Sequence, residues 1–494
     1  MSKFRSPSSG DPEPIPASVV VLTRFEGREV YLIQRSPKLR FLPGYWAFPG
    51  GALEDLDSRG GASTELALAR SAARELFEET GILVPGLVGE PDREALLEEV
   101  PDASSWMACD EDSAWFEAWE PFAEVVTPRF SLRRFRAHFF HLDLPEGQAP
   151  SILDGELVDG RWVEPASALA EWERGELLLA PPSLYLLRRL VGQPLAEALE
   201  EARAATTEVR EGRLLQQAEH APGIIAVPLS TRTLPPATTT NTYLLGVERF
   251  YCLDPATTDE GELELLFDEL ERRRGRGHEL VGVVVTHHHA DHTGGVEAVA
   301  KRCDVPVFAH VETFRRTRFE GVECRELVDE DRLDLGRRPG SDEPWTARVL
   351  HTPGHAPGHL AFLENHGGHA IVGDLVSTLS TIVIDPEDGD MAQYLASLER
   401  VRDESIGILF PAHGMPAPKG TAKLASYLRH RRAREAKLAG ALTDTPQSSR
   451  QLVEQVYDDV DARLWPLAER SLLAGLLKLQ SESRAHPTPT GWHH

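Results

Sequence analysis

The chain has 494 residues, with 52 Lys and Arg against 78 Asp and Glu, a net charge of −26. An apolar content of 41% and nine tryptophans suffice for several cores, and the length favours about three domains. The acidity argues against broad non-specific nucleic-acid binding, no apolar run is long enough to span a bilayer, and four cysteines without CxxC spacing rule out a disulfide framework and point to a reducing cytoplasm.

Residues 1–16 are rich in Ser, Pro and Gly without an apolar core, and read as a disordered tail. Ala17–Leu22 and Val30–Ile33 then read as a hairpin around Phe25-Glu26-Gly27, followed by Phe48-Pro49-Gly50-Gly51. In the next helix Glu75, Glu78 and Glu79 fall at i, i+3 and i+4, three carboxylates on one face. Like charges at that spacing destabilise a helix unless a cation sits between them, and a hard ion such as Mg²⁺ or Mn²⁺ suits carboxylate oxygens and substrate phosphates.

Arg74-Glu75-Leu76-Phe77-Glu78-Glu79-Thr80-Gly81-Ile82 resembles the core of the Nudix box. The resemblance implies an α/β/α sandwich over 17–191, with Glu75, Glu78 and Glu79 as metal-binding and catalytic carboxylates. Between Gly51 and Arg74 lie 22 residues, where the box carries about 13. Counted back from Arg74, the box's first glutamate aligns with Leu66, next to Glu65. Arg35-Ser36, Arg40, Gly44 and Phe48–Gly51 match the element that precedes the box in the coenzyme A diphosphatase subgroup. That match makes Arg35 and Arg40 candidate substrate contacts and a coenzyme A-like nucleotide the expected substrate. Arg134, in a segment of alternating arginine and phenylalanine, is a further candidate for clamping phosphate, although such alternation also suits the wet and dry sides of a strand.

Residues 192–220 read as a charged connecting helix without a chemical motif. Glu279–Val285 is an apolar, β-branched run that reads as a buried strand, and it delivers Thr286-His287-His288-His289-Ala290-Asp291-His292. Imidazoles and a carboxylate at this spacing form two metal half-sites, suited to zinc or a similar divalent ion and open to water. His355, Asp374 and His413 follow, each beside glycine or proline where a loop can aim a ligand.

Together these motifs resemble the metallo-β-lactamase superfamily, which implies an αββα fold over 221–420. By that resemblance His287, His289 and His355 hold one ion, Asp291, His292 and His413 hold a second, and Asp374 bridges them, with Asp291 also a catalytic carboxylate. His288, His310 and His359 read as supporting or packed histidines.

From Lys419 to Lys437 seven Lys or Arg face a single Glu435, and two amphipathic segments follow. Residues 421–485 resemble the winged-helix-like tail of an endoribonuclease-containing group of that superfamily, and 486–494 read as a frayed end.

The expected architecture is therefore α/β and α+β, multidomain, with two hydrolytic sites. A binuclear site, zinc by preference, would cleave a thioester or phosphodiester, and a Mg²⁺ or Mn²⁺ site would cleave a nucleoside diphosphate derivative. The alternative is a single metallo-β-lactamase-fold activity with a Nudix domain kept for nucleotide binding. Small nucleotide or thioester substrates are favoured over RNA by the net charge, and no membrane partner is implied.

Overall fold

The computed structural model describes residues 13–39, 41–85, 93, 119–153, 155–210 and 215–494. They form two compact units, Met1–Pro222 and Gly223–His494.

In the first unit, β1 (Ile15–Arg24) and β2 (Glu29–Arg35) make the expected hairpin, with Thr23 opposite Val30. β1 takes up Ile15 and Pro16, which shortens the expected tail; residues 1–12 lie outside the described residues. β3 (Trp46–Ala47) and β4 (Gly50–Ala52) lead to helix α1 (Thr64–Thr80), and β5 (Ala123–Val126), β6 (Phe135–Asp143) and β7 (Leu157–Val163) complete the sheet. β6 lies parallel to β1, while β4 and β7 pair with β1 and β2.

Strand alternation decides the layers. Val20 and Leu22 point to one face, against Leu66, Ala69, Ala72 and Leu76 of α1. Val21, Val30 and Leu32 point to the other, against Trp172, Leu184 and Leu187 of the helices Pro165–Glu173 and Pro181–Leu190. Helices thus cover both faces of one sheet. Ser63 caps α1 through the Leu66 amide, and Gly81 ends it at φ 74°, a left-handed turn suited to glycine.

The helix expected to connect the halves spans Leu195–Arg210. It is more than a connector. Ala198 and Ala202 are fully buried in the first unit's core, with Leu195 and Leu199 packed against it. Their i, i+3, i+4, i+7 spacing makes an apolar stripe that the charged composition masks.

In the second unit six strands run in the order Cys324–Glu326, Val307–Ala309, Glu279–Val284, Arg249–Leu253, Thr239–Gly246, Ile224–Ser230. A second sheet follows the order Arg332–Arg337, Pro344–His351, Leu360–Glu364, Ala370–Ile371, Leu409–Phe410. The sheets meet where Tyr243 and Phe410 pack edge to face, 5.8 Å between ring centroids. Helices Glu260–Gly275 and Val296–Cys303 lie on the first sheet, and Met391–Asp403 and Gly420–Ala441 beside the second.

The C-terminal module has its own core of Leu438, Leu452, Val453, Val456, Leu472, Leu476 and Leu479. Its last segment does not fray as expected: His486–Thr488 and Gly491–His493 form an antiparallel hairpin, tied down by paired backbone bonds between Gln447 and Trp492. No helix among the described residues is long and apolar enough to cross a membrane.

Candidate metal centres

Glu279–Val284 lies inside its sheet, and Val283 to His287 are fully buried. Its carboxyl end releases His287, after which His289 stands at the N-terminus of the short helical turn Ala290–Thr293 that carries Asp291 and His292. His355 arrives from the loop between Pro344–His351 and Leu360–Glu364, Asp374 from the turn Gly373–Leu375, and His413 from the loop after Leu409–Phe410. Gly373 has φ 45°, and a Cβ there would lie 2.8 Å from His359 Nε2, so the turn that aims Asp374 needs glycine.

All seven residues converge. His289 Nδ1 lies 2.9 Å from His287 Nε2 and 3.0 Å from His355 Nε2. Asp291, His292 and His413 form a second group whose ligand atoms lie within 4.8 Å of one another. Asp374 stands between the groups: its Oδ2 is 3.5 Å from His355 Nε2, while its Oδ1 is 3.3 Å from His413 Nε2 and 3.6 Å from His292 Nε2.

The donor set fits two divalent ions. His292 Nε2 and Asp374 Oδ1 are buried without a hydrogen-bond partner, and such orphaned polar atoms are costly unless something charged occupies the space between them. Burial, with His292, His289 and His355 nearby, holds the His287 imidazole well below its ordinary range, and burial takes His355 down to about 4. Both are therefore neutral at neutral pH, the form that a metal ligand needs. Burial opposes the charge of Asp374, yet His413 and His292 hold its carboxyl well below the usual range, so it stays anionic.

Supporting groups fix the ring orientations. Asp254 Oδ2 accepts from His292 Nδ1 at 2.8 Å and from Thr286 Oγ1 at 2.7 Å, while its Oδ1 accepts the Thr286 amide at 2.8 Å. His355 Nδ1 donates to Val383 O at 3.0 Å, His413 Nδ1 to Thr239 O at 3.1 Å, and His289 Nε2 to Asp388 Oδ2 at 3.0 Å. His359 Nε2 accepts the Asp374 amide at 3.1 Å, His288 lies 3.1 Å from the same Asp388 oxygen, and His310 caps the helix Val311–Arg316. Asn241 donates to Pro411 O and Gly414 O at 2.9 and 2.8 Å, pinning the His413 loop.

Asp254 and Asp388 escaped the sequence reading. Asp254 had a signal, because it ends Arg249–Leu253, the parallel neighbour of the ligand-bearing strand. Asp388 had none beyond its own turn.

In the first unit, α1 presents Glu75, Glu78 and Glu79 around Arg74. Arg74 Nη1 donates to Glu75 and Glu78, both at 2.9 Å, while Nη2 donates to Ala52 O at 3.1 Å. A Cβ on Gly51 would lie 2.3 Å from Glu75 Oε1, so glycine lets the backbone approach the carboxylates. Burial pushes Glu75 up to about 7 against the pull of Arg74, and burial with Glu75 alongside raises Glu79 well above the usual range. One arginine for three crowded carboxylates is a donor set that a divalent cation would relieve.

The remaining Nudix candidates separate. Arg35 lies close enough to Glu79 to favour its charged form. Arg40 lies outside the described residues. Arg134 turns inward, contrary to the expectation of a phosphate clamp: it is 7% exposed and its Nε donates to Thr127 O at 3.0 Å, which makes it a staple across the Pro128–Arg133 turn. Leu66 is buried in the core and Glu65 is exposed, so neither supplies the missing box carboxylate. Counted forward from Gly51, that position falls on Asp57, which pairs with Arg74. The extra residues lie between Asp57 and Arg74, and a count from the glycine side of the box would have found it.

Residues 13–180 match the NUDIX domain and residues 235–413 the metallo-beta-lactamase superfamily. The chain fuses these two hydrolase domains. Residues 448–492 match the beta-lactamase associated winged helix domain. The chain is similar to a beta-lactamase-like protein 2 homolog of Drosophila melanogaster, 29% identical over 50% of this chain and 83% of that protein. It is also similar to an atrochrysone carboxyl ACP thioesterase of Aspergillus chevalieri, 28% identical over 42% of this chain and 62% of that one. On the Nudix side it is similar to the putative nudix hydrolase 7 of Caenorhabditis elegans, 27% identical over 35% of this chain and 59% of that one. The chain thus spans about six-tenths of the length of the last two.

Proposed function

We propose that this chain is a bifunctional metal-dependent hydrolase, with a thioesterase in the metallo-beta-lactamase domain and a diphosphatase for coenzyme A-like nucleotides in the Nudix domain. The observation that carries the reading is Asp374, whose two oxygens face separate histidine groups 3.3 to 3.6 Å away. Two ions bound there, zinc by preference, supply Lewis acidity and an activated water. His287, His289 and His355 would hold one ion, and Asp291, His292 and His413 the other. Asp254, Asp388, Val383 O and Thr239 O keep the imidazoles of His292, His289, His355 and His413 in the tautomer that offers the free nitrogen to the site, and Thr286 Oγ1 stands 3.0 Å from His287 Nδ1.

A thioester is favoured over RNA by two observations. One relative is named an acyl carrier protein thioesterase. The basic helix spends four of its seven cations inside the unit: Arg434 pairs with Asp459 at 2.7 Å, Lys437 with Asp458 and Arg432 with Glu399, while Arg431 is buried. Paired cations release few counterions and steer a polyanion weakly.

For the Nudix half, Arg74 holds Glu75 and Glu78, and Arg35 stands near Glu79. Mg²⁺ or Mn²⁺ would take those carboxylates with the substrate's phosphates. The displaced first glutamate argues for a binding-only Nudix domain, whereas Asp57, paired with Arg74 at the position counted from Gly51, supports a catalytic one. We place the protein in the cytoplasm, consistent with Cys252, Cys303 and Cys324 being free thiols.

The test is an exchange of activities in the full chain. Asp374→Ala should abolish thiol release from acyl thioesters and spare cleavage of coenzyme A to its nucleotide products, and Glu78→Gln should do the reverse. Thioester turnover by the Asp374→Ala chain at the wild-type rate would overturn the first assignment, and coenzyme A cleavage by the Glu78→Gln chain at the wild-type rate the second.

A further inference from the structure

The loop from Val376 to Asp390 supplies none of the seven residues of the two groups, yet two imidazoles of the His287–His289–His355 group lean on it. Val383 O accepts from His355 Nδ1 at 3.0 Å, and Asp388 Oδ2 accepts from His289 Nε2 at 3.0 Å. The loop has no strand partner of its own among the described residues. Backbone groups away from water need partners, so what satisfies them sets where Val383 and Asp388 stand.

Those partners come from the C-terminal helices. Tyr427 on Gly420–Ala441 donates its hydroxyl to Ser380 O at 3.0 Å and accepts the Ile382 amide at 2.9 Å. Arg431, one turn on, donates Nη2 to Ile382 O. From Trp465–Ser481, Ser471 Oγ accepts the Ile384 amide at 3.0 Å, and Arg470 pairs with Asp385. The Ile382 and Ile384 side chains are buried beside Leu424, Tyr427, Leu428 and Ala474. Four side chains from two helices therefore grip residues 380–385, on both sides of Val383.

Arg431 shows that this grip is more than packing. Its guanidinium is buried over the rings of Tyr394 and Tyr427, at 5.1 and 5.8 Å, with no carboxylate in ion-pair range among the described residues and with Nε unpartnered. A buried cation without an anion costs stability that a Leu or Met at this place would not cost. Besides its hydrogen bond to Tyr394, Arg431 bonds Ile382 O, one residue from the carbonyl that orients His355.

We infer that the C-terminal module is a positioning element of the His287–His289–His355 metal group, acting through Tyr427, Arg431 and Ser471 on the loop that carries Val383 and Asp388. The inference rests on those histidines being ligands. The rings of the other group are oriented by Asp254 and Thr239 O. The start of the loop meets that group only at the His413 carbonyl, through Ser377 Oγ and the Thr378 amide, several residues from Ile382 and Ile384, so changes at Arg431 and Ser471 should act chiefly on one ion.

The experiment titrates cobalt into the full-length apo chain, following its visible spectrum and its competition with a chelator. In a His413→Ala background, which leaves the first group intact, Arg431→Met and the milder Ser471→Ala should weaken cobalt by about tenfold or more and alter its spectrum. In a His355→Ala background the same changes should leave cobalt affinity within a factor of two. Amide exchange at Ile382 and Ile384 should quicken in both variants before metal is added. Unchanged affinity and spectrum in the His413→Ala background would overturn the inference. A wild-type chain that binds no cobalt at this site would instead overturn the ligand assignment on which it rests.

Discussion

Asp57 grips Arg74 with both carboxylate oxygens, Oδ1 accepting from Nε at 3.1 Å and Oδ2 from Nη2 at 3.0 Å. Both side chains are buried, at 0% and 2% exposure. The pair fixes the guanidinium plane, leaving Nη1 for Glu75 and Glu78. Breaking an isolated buried pair costs about 3–5 kcal/mol, an upper bound here because Arg74 keeps Glu75 and Glu78. Asp57→Asn should therefore lower the stability of the first unit by up to that amount, read from its denaturant midpoint. An unchanged midpoint would mean that Asp57 does not anchor the helix.

Gly51 gives a test of the carboxylates that spares the rest of the fold. Gly51→Ala places a methyl 2.3 Å from Glu75 Oε1 and must move that side chain. A displacement of about 1 Å at a reacting group costs on the order of 100-fold in rate. Nudix turnover should fall by about that factor while thioester hydrolysis is unchanged, in parallel assays of one preparation.

Asp254 predicts a metal effect in the second unit. Asp254→Asn keeps the shape but weakens the hold on His292 Nδ1, now 2.8 Å. The Asp291–His292–His413 group should lose about 10- to 100-fold in affinity, measured by competition against a chromophoric chelator. Equal affinity in both proteins would show that His292 is oriented by its other neighbours.

His220 predicts a pH dependence in the first unit. Burial takes its imidazole down to about 4, and its Nε2 has no partner beside the Tyr45 and Phe130 rings. Between its unfolded value, about 6.5, and about 4, the unfolded chain holds a proton there that the folded chain does not. The stability conferred by a neutral His220 is thus complete above about pH 6.5 and is lost as pH falls toward 4, by up to about 3 kcal/mol. His220→Phe should flatten the melting temperature of this unit across that window relative to the wild type, followed by calorimetry. Parallel curves would contradict the assignment.

How much of this was legible follows from what each signal depends on. The seven residues that converge were readable because a metal needs particular atoms and the chain supplies candidates at short spacing or beside glycine and proline. Glu75, Glu78 and Glu79 were readable from helical period alone. Asp254 and Asp388 were not, since a carboxylate that orients a ligand needs only to be near in space. Asp57 was hidden by the insertion that separates it from Arg74. Arg134 misled because alternation with phenylalanine does not say which side of a strand is wet. The helix Leu195–Arg210 misled for the opposite reason, since its four-residue apolar stripe is small beside its charges. The pairing of the C-terminal basic helix was hidden because local charge is visible in sequence while its acidic partners, Asp458, Asp459 and Glu399, are distant along the chain.

The central claim, that Asp374 bridges two ions, is tested most directly by zinc X-ray absorption on the Glu78→Gln chain loaded with two equivalents. The account predicts histidine-rich ligation and zinc–zinc scattering at about 3.5 to 4 Å, with that scattering lost in Asp374→Ala. A spectrum with no metal–metal vector, or one that Asp374→Ala leaves unchanged, would contradict it.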